Sequence, residues 1–254
     1  MCTLSLCAET MLSQDLLYLP YKNPSIPIEA RVNDLIGRMS QEEKFYQLFM
    51  IAHDDRFDTA RYQNGIFGIE ISIQGMDDQP GQQMLNYNET WTARKQVEEI
   101  NRIQKFLVEE TRLGIPGIFF GEALHGVVGK GGVAYPQSIA LAASFDRELM
   151  KSVCDAIAIE SKQRGWRQVL SPVINVATDV RWGRVEETYG EDPFLNAVMG
   201  SIFVRAFESK GIITTPKHFV ANVGDGGRDS YPIHLDSMAL ANIHYPPFKA
   251  CVDA

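Results

Sequence analysis

Apolar residues are arranged in two different ways along the chain. Four short apolar runs are bounded by glycine, proline or polar residues, as buried strands usually are. They cover residues 65–72, 117–120, 168–176 and 212–216. Between these runs, apolar residues return every three or four positions, which is the spacing of one helix face. Strands and helices therefore alternate, and this order predicts a parallel sheet covered by helices.

Several helix ends are marked by capping residues. In the helical segment 28–50, Ser40 and Glu43 have the spacing of a capping box, which predicts two helices with a break between Met39 and Ser40. Asp192 followed by Pro193 predicts another helix start. Further helices are expected at residues 91–113, 144–164, 193–211 and 236–252, the last with a break at Pro246 and Pro247.

The polar residues of interest follow directly after predicted strands. In a (β/α)8 barrel the carboxyl ends of the strands form the rim where active sites are built. In a doubly wound open sheet the binding crevice also lies at these ends. The pattern alone is therefore compatible with both architectures. Glycine motifs for dinucleotides or phosphates are missing after the strands, so no cofactor is predicted.

Composition narrows the class of protein. The chain has 254 residues, of which 45% are hydrophobic and 22% charged, as in an ordinary globular domain. The net charge of -8 and the lack of a basic cluster argue against nucleic acid as a partner. No apolar run approaches the roughly 18–20 residues that span a bilayer. The first 18 residues are mildly apolar without a convincing signal peptide, so the compartment stays open between periplasmic or secreted and cytoplasmic.

Cysteine and histidine residues do not have metal-ligand spacing. Four scattered cysteines (Cys2, Cys7, Cys154 and Cys251) indicate neither a zinc site nor a disulfide framework. His53, His234 and His244 are not spaced as ligands of one ion, so no metal is predicted.

The densest cluster of charges is DVRWGRVEETYGEDP at residues 179–193. After Asp179, it places two arginines beside four further acidic residues and two aromatic rings: Arg181, Arg184, Glu186, Glu187, Glu191, Asp192, Trp182 and Tyr189. Guanidinium forks, carboxylates and flat apolar platforms suit a sugar ring. A salt-bridge network that fixes a loop explains the spacing equally well.

Two further strand ends carry candidate residues. Glu122 and His125 lie in a predicted turn after residues 117–120, where a lone glutamate is somewhat more often a structural hydrogen-bonding group. Lys217 and His218 follow the strand at residues 212–216. They could donate hydrogen bonds to hydroxyl groups and favour the ionised form of a nearby carboxylate.

Three motifs together resemble the N-terminal barrel domain of glycoside hydrolase family 3. They are EALHG at residues 122–126, the stretch at 179–193 and PKHF at 216–219. The resemblance implies an α/β fold of the (β/α)8 TIM-barrel type and a β-glucosidase or β-xylosidase. It suggests an extended lead-in at residues 1–27 and a partial barrel domain at 28–254. KHFVANVGDGG lacks the proline and loop histidine typical of the hexosaminidase branch, which argues against that activity.

The resemblance also implies a role for each matching residue. Glu122 would hold the outer hydroxyls of the sugar, and Arg184 would bind hydroxyls of the same sugar. Glu187 would brace Arg184. Lys217 and His218 would contact hydroxyls of the ring, with a non-proline cis peptide often nearby.

The family's two catalytic carboxylates have no match in this sequence. Retaining members use a nucleophile and an acid/base about 5–5.5 Å apart. The nucleophilic aspartate is expected downstream of Ala254, so no catalytic residue is assigned within the chain. Asp225 and Asp229 are interpreted as loop-orienting residues rather than substitutes. We therefore expect an incomplete barrel, with strand edges and apolar helix faces left without partners.

The expected function is that of a retaining, exo-acting β-glycosidase that removes terminal β-linked glucose or xylose. The chain is expected to be a truncated form that holds the sugar-binding residues without the nucleophile and the acid/base. The alternative is a non-catalytic sugar-binding or structural protein with the same fold. The expected partner is a β-glucoside or β-xyloside oligosaccharide. A homo-oligomer, a second polypeptide or a missing C-terminal portion could complete the barrel.

Overall fold

Five short parallel strands form one sheet in the computed structural model, which describes residues 19–53, 57–72, 91–224 and 232–254. The strands neighbour each other in chain order, so each β/α unit adds one strand to the same side of the sheet. They are β1 (Met50–Ala52), β2 (Gly68–Glu70), β3 (Ile118–Gly121), β4 (Gln168–Val169) and β5 (Ile213–Thr214). The predicted parallel sheet is confirmed.

Helices connect and cover these strands. They are α1 (Ile28–Arg38), α2 (Gln41–Tyr46), α3 (Ala93–Glu109), α4 (Ser138–Ala143), α5 (Arg147–Gln163), α6 (Pro193–Glu208), α7 (Ser237–Ala239) and α8 (Tyr245–Val252), with a π-helical turn at Leu240–His244 between the last two. Short 3₁₀ turns cover Pro20–Lys22 and Val185–Glu187. None of the helices in these described ranges has the length and hydropathy of a membrane-spanning helix.

The capping residues start the helices that the sequence predicted. Ser40 and Glu43 form both hydrogen bonds of the capping box, so the break between α1 and α2 is confirmed. Asp192 accepts a hydrogen bond from the backbone N–H of Leu195 and caps α6. The segment predicted as an extended lead-in differs at Pro20–Lys22, where the chain makes a 3₁₀ turn and buries Tyr21.

One strand was missed, and three of the four predicted strands are shorter than predicted, most of all the one at residues 168–176. Helix α2 ends at Tyr46, and Met50–Ala52 forms β1 where the helical pattern was expected to continue to Met50. Three apolar residues directly after a helix fit its spacing too, so periodicity cannot separate them. In the segment 168–176, which was predicted as one strand, ladder pairing ends at Val169. A single β-bridge, between Val173 and Lys217, follows beyond Pro172. Proline has no N–H to donate, which interrupts the ladder.

The helical structure is not interrupted at Pro246 and Pro247, where a break was predicted. Both prolines lie in the first turn of α8, directly after the π-helical turn. The first turn of a helix has N–H groups without intrahelical partners, so prolines are tolerated there.

The two faces of the sheet have different characters. Ile69 and Phe119 point to the helix layer and join the hydrophobic core with Ile103, Trp166 and Phe203. Side chains alternate along a strand, so Glu70 and Phe120 lie on the opposite, inner face. On β5 and in the segment that follows it, some apolar side chains are exposed: Ile213 is 49% and Phe219 75% exposed.

Replacing Gly121 with alanine is expected to destabilise the fold by about 1–3 kcal/mol. A Cβ atom at this position would lie 2.6 Å from the ring of Trp166, which is fully buried and cannot move aside. Urea unfolding measures the effect. Gly37→Ala is the control, because a Cβ at this helical position meets nothing within 4 Å and should stabilise the chain by about 0.5–1 kcal/mol. Equal stability of G121A and the wild type would contradict this account of the packing.

Candidate functional site

A buried ion pair joins two strand ends. Glu122 follows β3 and Lys217 follows β5, 95 residues apart in the chain. Lys217 Nζ lies 2.7 Å from Glu122 Oε1, and the two side chains are only 14% and 13% exposed. Glu122 Oε2 has no hydrogen-bond partner among the described residues. A buried carboxylate oxygen without a partner is unfavourable, so a ligand hydroxyl that reached it would be a well-matched donor.

Burial and charge act in opposite directions on Glu122. Burial raises the pKa of this carboxyl, and Lys217 counters part of the rise through its charge and its hydrogen bond. A ligand hydroxyl that donates a hydrogen bond to Oε2 would be a second group that favours the ionised form of Glu122.

A second buried pair forms around Arg184. Its Nε and Nη2 donate to the two carboxylate oxygens of Glu187 at 2.8 Å and 2.6 Å, which is the two-pronged geometry that guanidinium favours. Arg184 Nη1 lies 2.9 Å from Nε2 of His218. The predicted Arg184, Glu187 and His218 therefore meet in one cluster at the carboxyl edge of the sheet.

Contacts on both sides of the ring orient His218. Its Nε2 faces the guanidinium of Arg184, and its Nδ1 lies 3.1 Å from Oδ1 of Asn175. The direction of the imidazole ring is thus set by two polar side chains.

Asn175 is a residue that the sequence reasoning did not select. It is buried and accepts the backbone N–H of His218 at 2.8 Å. Its side-chain amide donates to the carbonyl groups of His218 and Val220. Both the Lys217–His218 and the Phe219–Val220 peptide bonds are cis, so a non-proline cis peptide is present near this pair, as the resemblance implied. Asn175 lies in an apolar run, so a lone amide inside a predicted strand was the available signal.

Glu70 is the second residue that was missed. It ends β2 on the inner face and is 7% exposed. Ser72 Oγ donates to its Oε1 at 3.3 Å. Burial, followed by the charge of Glu122, raises the pKa of Glu70 to about 7, while Ser72 and Lys217 act against the rise. It could have been found as the one charged residue inside the apolar run at 65–72.

Several residues of the charged stretch lie elsewhere. Arg181 pairs with Asp179 and is 65% exposed at its side chain. Tyr189 belongs to the main core, and Trp182 is buried against Val173 and Val223. The expectation that both rings offer open platforms for a sugar is therefore wrong, because packing covers their faces.

The remaining candidates have structural roles or stand outside the cluster. His125 lies with its Nδ1 2.9 Å from the carbonyl oxygen of Tyr135, which holds the turn after Glu122. Glu186 and Glu191 are not part of the buried cluster. Asp225 and Asp229 lie outside the described residues. Among the residues that are described, no three His, Cys, Asp or Glu side chains form a group that could hold a metal ion.

An apolar groove of about 630 Å³ lies outside this cluster, where α5 and α6 begin. Phe145, Phe194 and Val198 form part of its walls, and none of the five predicted binding residues lines it. We therefore do not assign the groove to the candidate site.

Parallel β/α units with polar side chains converging at the carboxyl edge of the sheet define a TIM-barrel-like α/β domain. A family model described as the glycosyl hydrolase family 3 N terminal domain matches residues 41–254. The chain belongs to this family. The predicted family and fold class are both confirmed.

Two relatives are identical to this chain at about three in ten aligned positions. A periplasmic β-glucosidase of Salmonella typhimurium is 30% identical over 98% of this chain and 31% of its own length. A putative β-xylosidase of Formosa agariphila is 29% identical over 91% of this chain and 32% of its own length. The chain thus spans about a third of the length of these relatives.

Solved structures agree with the fold. A β-glucosidase from Erythrobacter marinus superposes with a TM-score of 0.78 at 28% identity, covering 93% of this chain and 32% of that one. An exo-1,3/1,4-β-glucanase from a Pseudoalteromonas species superposes with a TM-score of 0.77 at 23% identity, over 93% of this chain and 30% of its own. The second comparison supports the fold alone.

The raised pKa of Glu70 predicts a pH-dependent stability. The folded state binds a proton up to about pH 7, whereas an unfolded glutamate loses it near its ordinary value of 4.5. The bound proton therefore stabilises the folded state fully at a pH below the ordinary pKa of glutamate, and this stabilisation is lost as the pH rises through 7. Glu70→Gln removes this dependence. Wild type should therefore lose on the order of 2–3 kcal/mol relative to E70Q between pH 4.5 and pH 8, measured by urea unfolding. A constant difference would contradict the assignment.

Proposed function

We propose that this chain binds the terminal glucose or xylose of a β-glycoside at the cluster formed by Glu122, Arg184, Glu187, Lys217 and His218. The observation that carries the proposal is the buried Glu122 Oε2, which has no partner among the described residues although its other oxygen is bonded to Lys217. A sugar hydroxyl is a neutral donor of the right kind for this oxygen.

The other groups complement a sugar in the same way. Lysine and arginine can donate to ring hydroxyls, and their charges are already balanced by Glu122 and Glu187. A neutral ligand can therefore enter without leaving a buried charge unpaired. Ion pairs of this kind also hold the donors in fixed directions, which reduces the ordering that binding requires.

The activity we propose for the whole protein is retaining, exo-acting hydrolysis of β-glucosides or β-xylosides. Family membership and the names of the relatives, a β-glucosidase and a putative β-xylosidase, support it. Retaining hydrolysis uses two carboxyl groups, one as nucleophile and one as acid/base. Glu122 and Glu187 each neutralise a buried cation, so we assign them to binding and give neither a catalytic role.

A domain layout follows as part of this proposal. Residues 28–254 would form the sugar-binding portion of a barrel, with residues 1–27 as a lead-in. The alternative function is a sugar-binding protein of the same fold without hydrolysis. Hydrolysis of 4-nitrophenyl β-glucoside and β-xyloside is measured beside sugar binding, for the chain alone and for the chain extended with the downstream sequence of a β-glucosidase relative. Turnover by either protein supports the glycosidase, and sugar binding without turnover by both supports the alternative.

Two arginines of one motif provide a matched pair of variants. Arg184→Lys keeps the charge but loses the two-pronged contact with Glu187 and the contact with His218, so D-glucose or D-xylose should bind at least about tenfold more weakly. Arg181→Lys changes an exposed arginine in the same stretch and should leave binding as in the wild type. Isothermal titration calorimetry gives both affinities. Equal loss in the two variants, or none in R184K, would refute the assigned site.

A further inference from the structure

Glu70 and Glu122 are neighbours on the inner face of the sheet. Glu70 ends β2 and is opposite Phe120 of β3 in the strand register. Glu122 follows Phe120 by two positions, so the alternation of side chains brings it to the same face. Both carboxyl groups thus lie at the carboxyl edge of adjacent strands.

One ammonium group, that of Lys217, acts on both carboxyls, by direct contact with Glu122 and by its charge on Glu70. Lys217 is hydrogen-bonded to Glu122 Oε1 at 2.7 Å, whereas Glu70 Oε1 accepts its hydrogen bond from Ser72. Two buried carboxylates on one face repel each other, so ionising both is unfavourable. Direct contact with Lys217 favours the charge on Glu122, which leaves the proton on Glu70. The pKa of Glu70, raised to about 7 by burial and by Glu122, agrees with this distribution.

We propose that Glu70 is a positioning residue of the sugar site: while neutral, it leaves Lys217 bound to Glu122 and so keeps Glu122 Oε2 available to a sugar hydroxyl. This inference rests on the sugar-binding function proposed above. It adds an acidic residue that acts through Glu122 and Lys217 without contacting the sugar.

Ionisation of Glu70 would change the site in a definite direction. A second negative charge on the inner face competes for Lys217 and repels the carboxylate of Glu122. The donor and acceptor directions set by the Lys217–Glu122 bond are then lost. Sugar affinity should therefore fall as the pH rises through about 7.

Other charged groups near this face are present in every variant compared below. On the side of β1 and α3, His53 is bonded to Glu99, which also binds Arg102. On the opposite side, Arg184 and Glu187 neutralise each other next to His218. Histidines ordinarily titrate in the same pH range. A difference between wild type and a Glu70 variant therefore isolates Glu70.

The test is calorimetric binding of D-glucose from pH 5.5 to 8.5 by the full 254-residue chain. Wild-type affinity is expected to fall at least about threefold between pH 6 and pH 8. Glu70→Gln keeps the size of the side chain and a hydrogen-bond acceptor for Ser72 but cannot ionise. The affinity of this variant for D-glucose should therefore not show this fall with pH. Glu186→Gln removes a carboxylate of the charged stretch that lies outside the buried cluster, and it should follow the wild-type profile.

Ser72→Ala gives a second measurement that does not alter Glu70 itself. The hydrogen bond from Ser72 lowers the pKa of Glu70, so its removal should move the midpoint of the affinity profile to higher pH. Parallel profiles for wild type, E70Q and S72A would overturn the role of Glu70 while leaving sugar binding intact. Absence of glucose binding in every protein at every pH would instead overturn the proposed function, and this inference with it.

Discussion

Buried charge at the carboxyl edge of the sheet is the constraint on which the site depends. Glu122, Lys217, Arg184 and Glu187 are all largely removed from water, and an unpaired charge in such a place is strongly destabilising. Each cation therefore has a carboxylate partner in direct contact. This requirement fixes where the side chains point, and it leaves Glu122 Oε2 as the open acceptor in the described part of the cluster.

The parallel arrangement of the strands makes this pairing possible. Every strand in the described sheet ends at the same edge, so residues that follow different strands meet although they are far apart in the chain. The glycine before Glu122 allows Trp166 to pack closely behind the sheet. Asn175 then binds the backbone around His218 from the next strand end. Core packing and site geometry are thus determined by the same few residues.

The charged stretch at 179–193 combines two roles that the sequence presented as alternatives. Arg184 and Glu187 form an ion pair that fixes the 3₁₀ turn, and the same pair faces His218 in the site. Asp192 caps α6, and Tyr189 fills the core. One short segment therefore connects the helix layer to the polar edge, and its structural network is also the proposed binding surface.

The sequence by itself determined the alternation of strands and helices and the helix caps at Ser40 and Asp192. These depend on periodicity and capping, whose physical origin is local along the chain. The five candidate binding residues were selected by motifs that resemble a family. Strand β1 was missed because three residues are too few to show a strand period. Only the tertiary structure decided that Lys217 pairs with Glu122, that packing covers Tyr189, and that Glu70 and Asn175 belong to the cluster. Such contacts depend on which strands are neighbours and on how deeply each group is buried, and neither is encoded in local spacing.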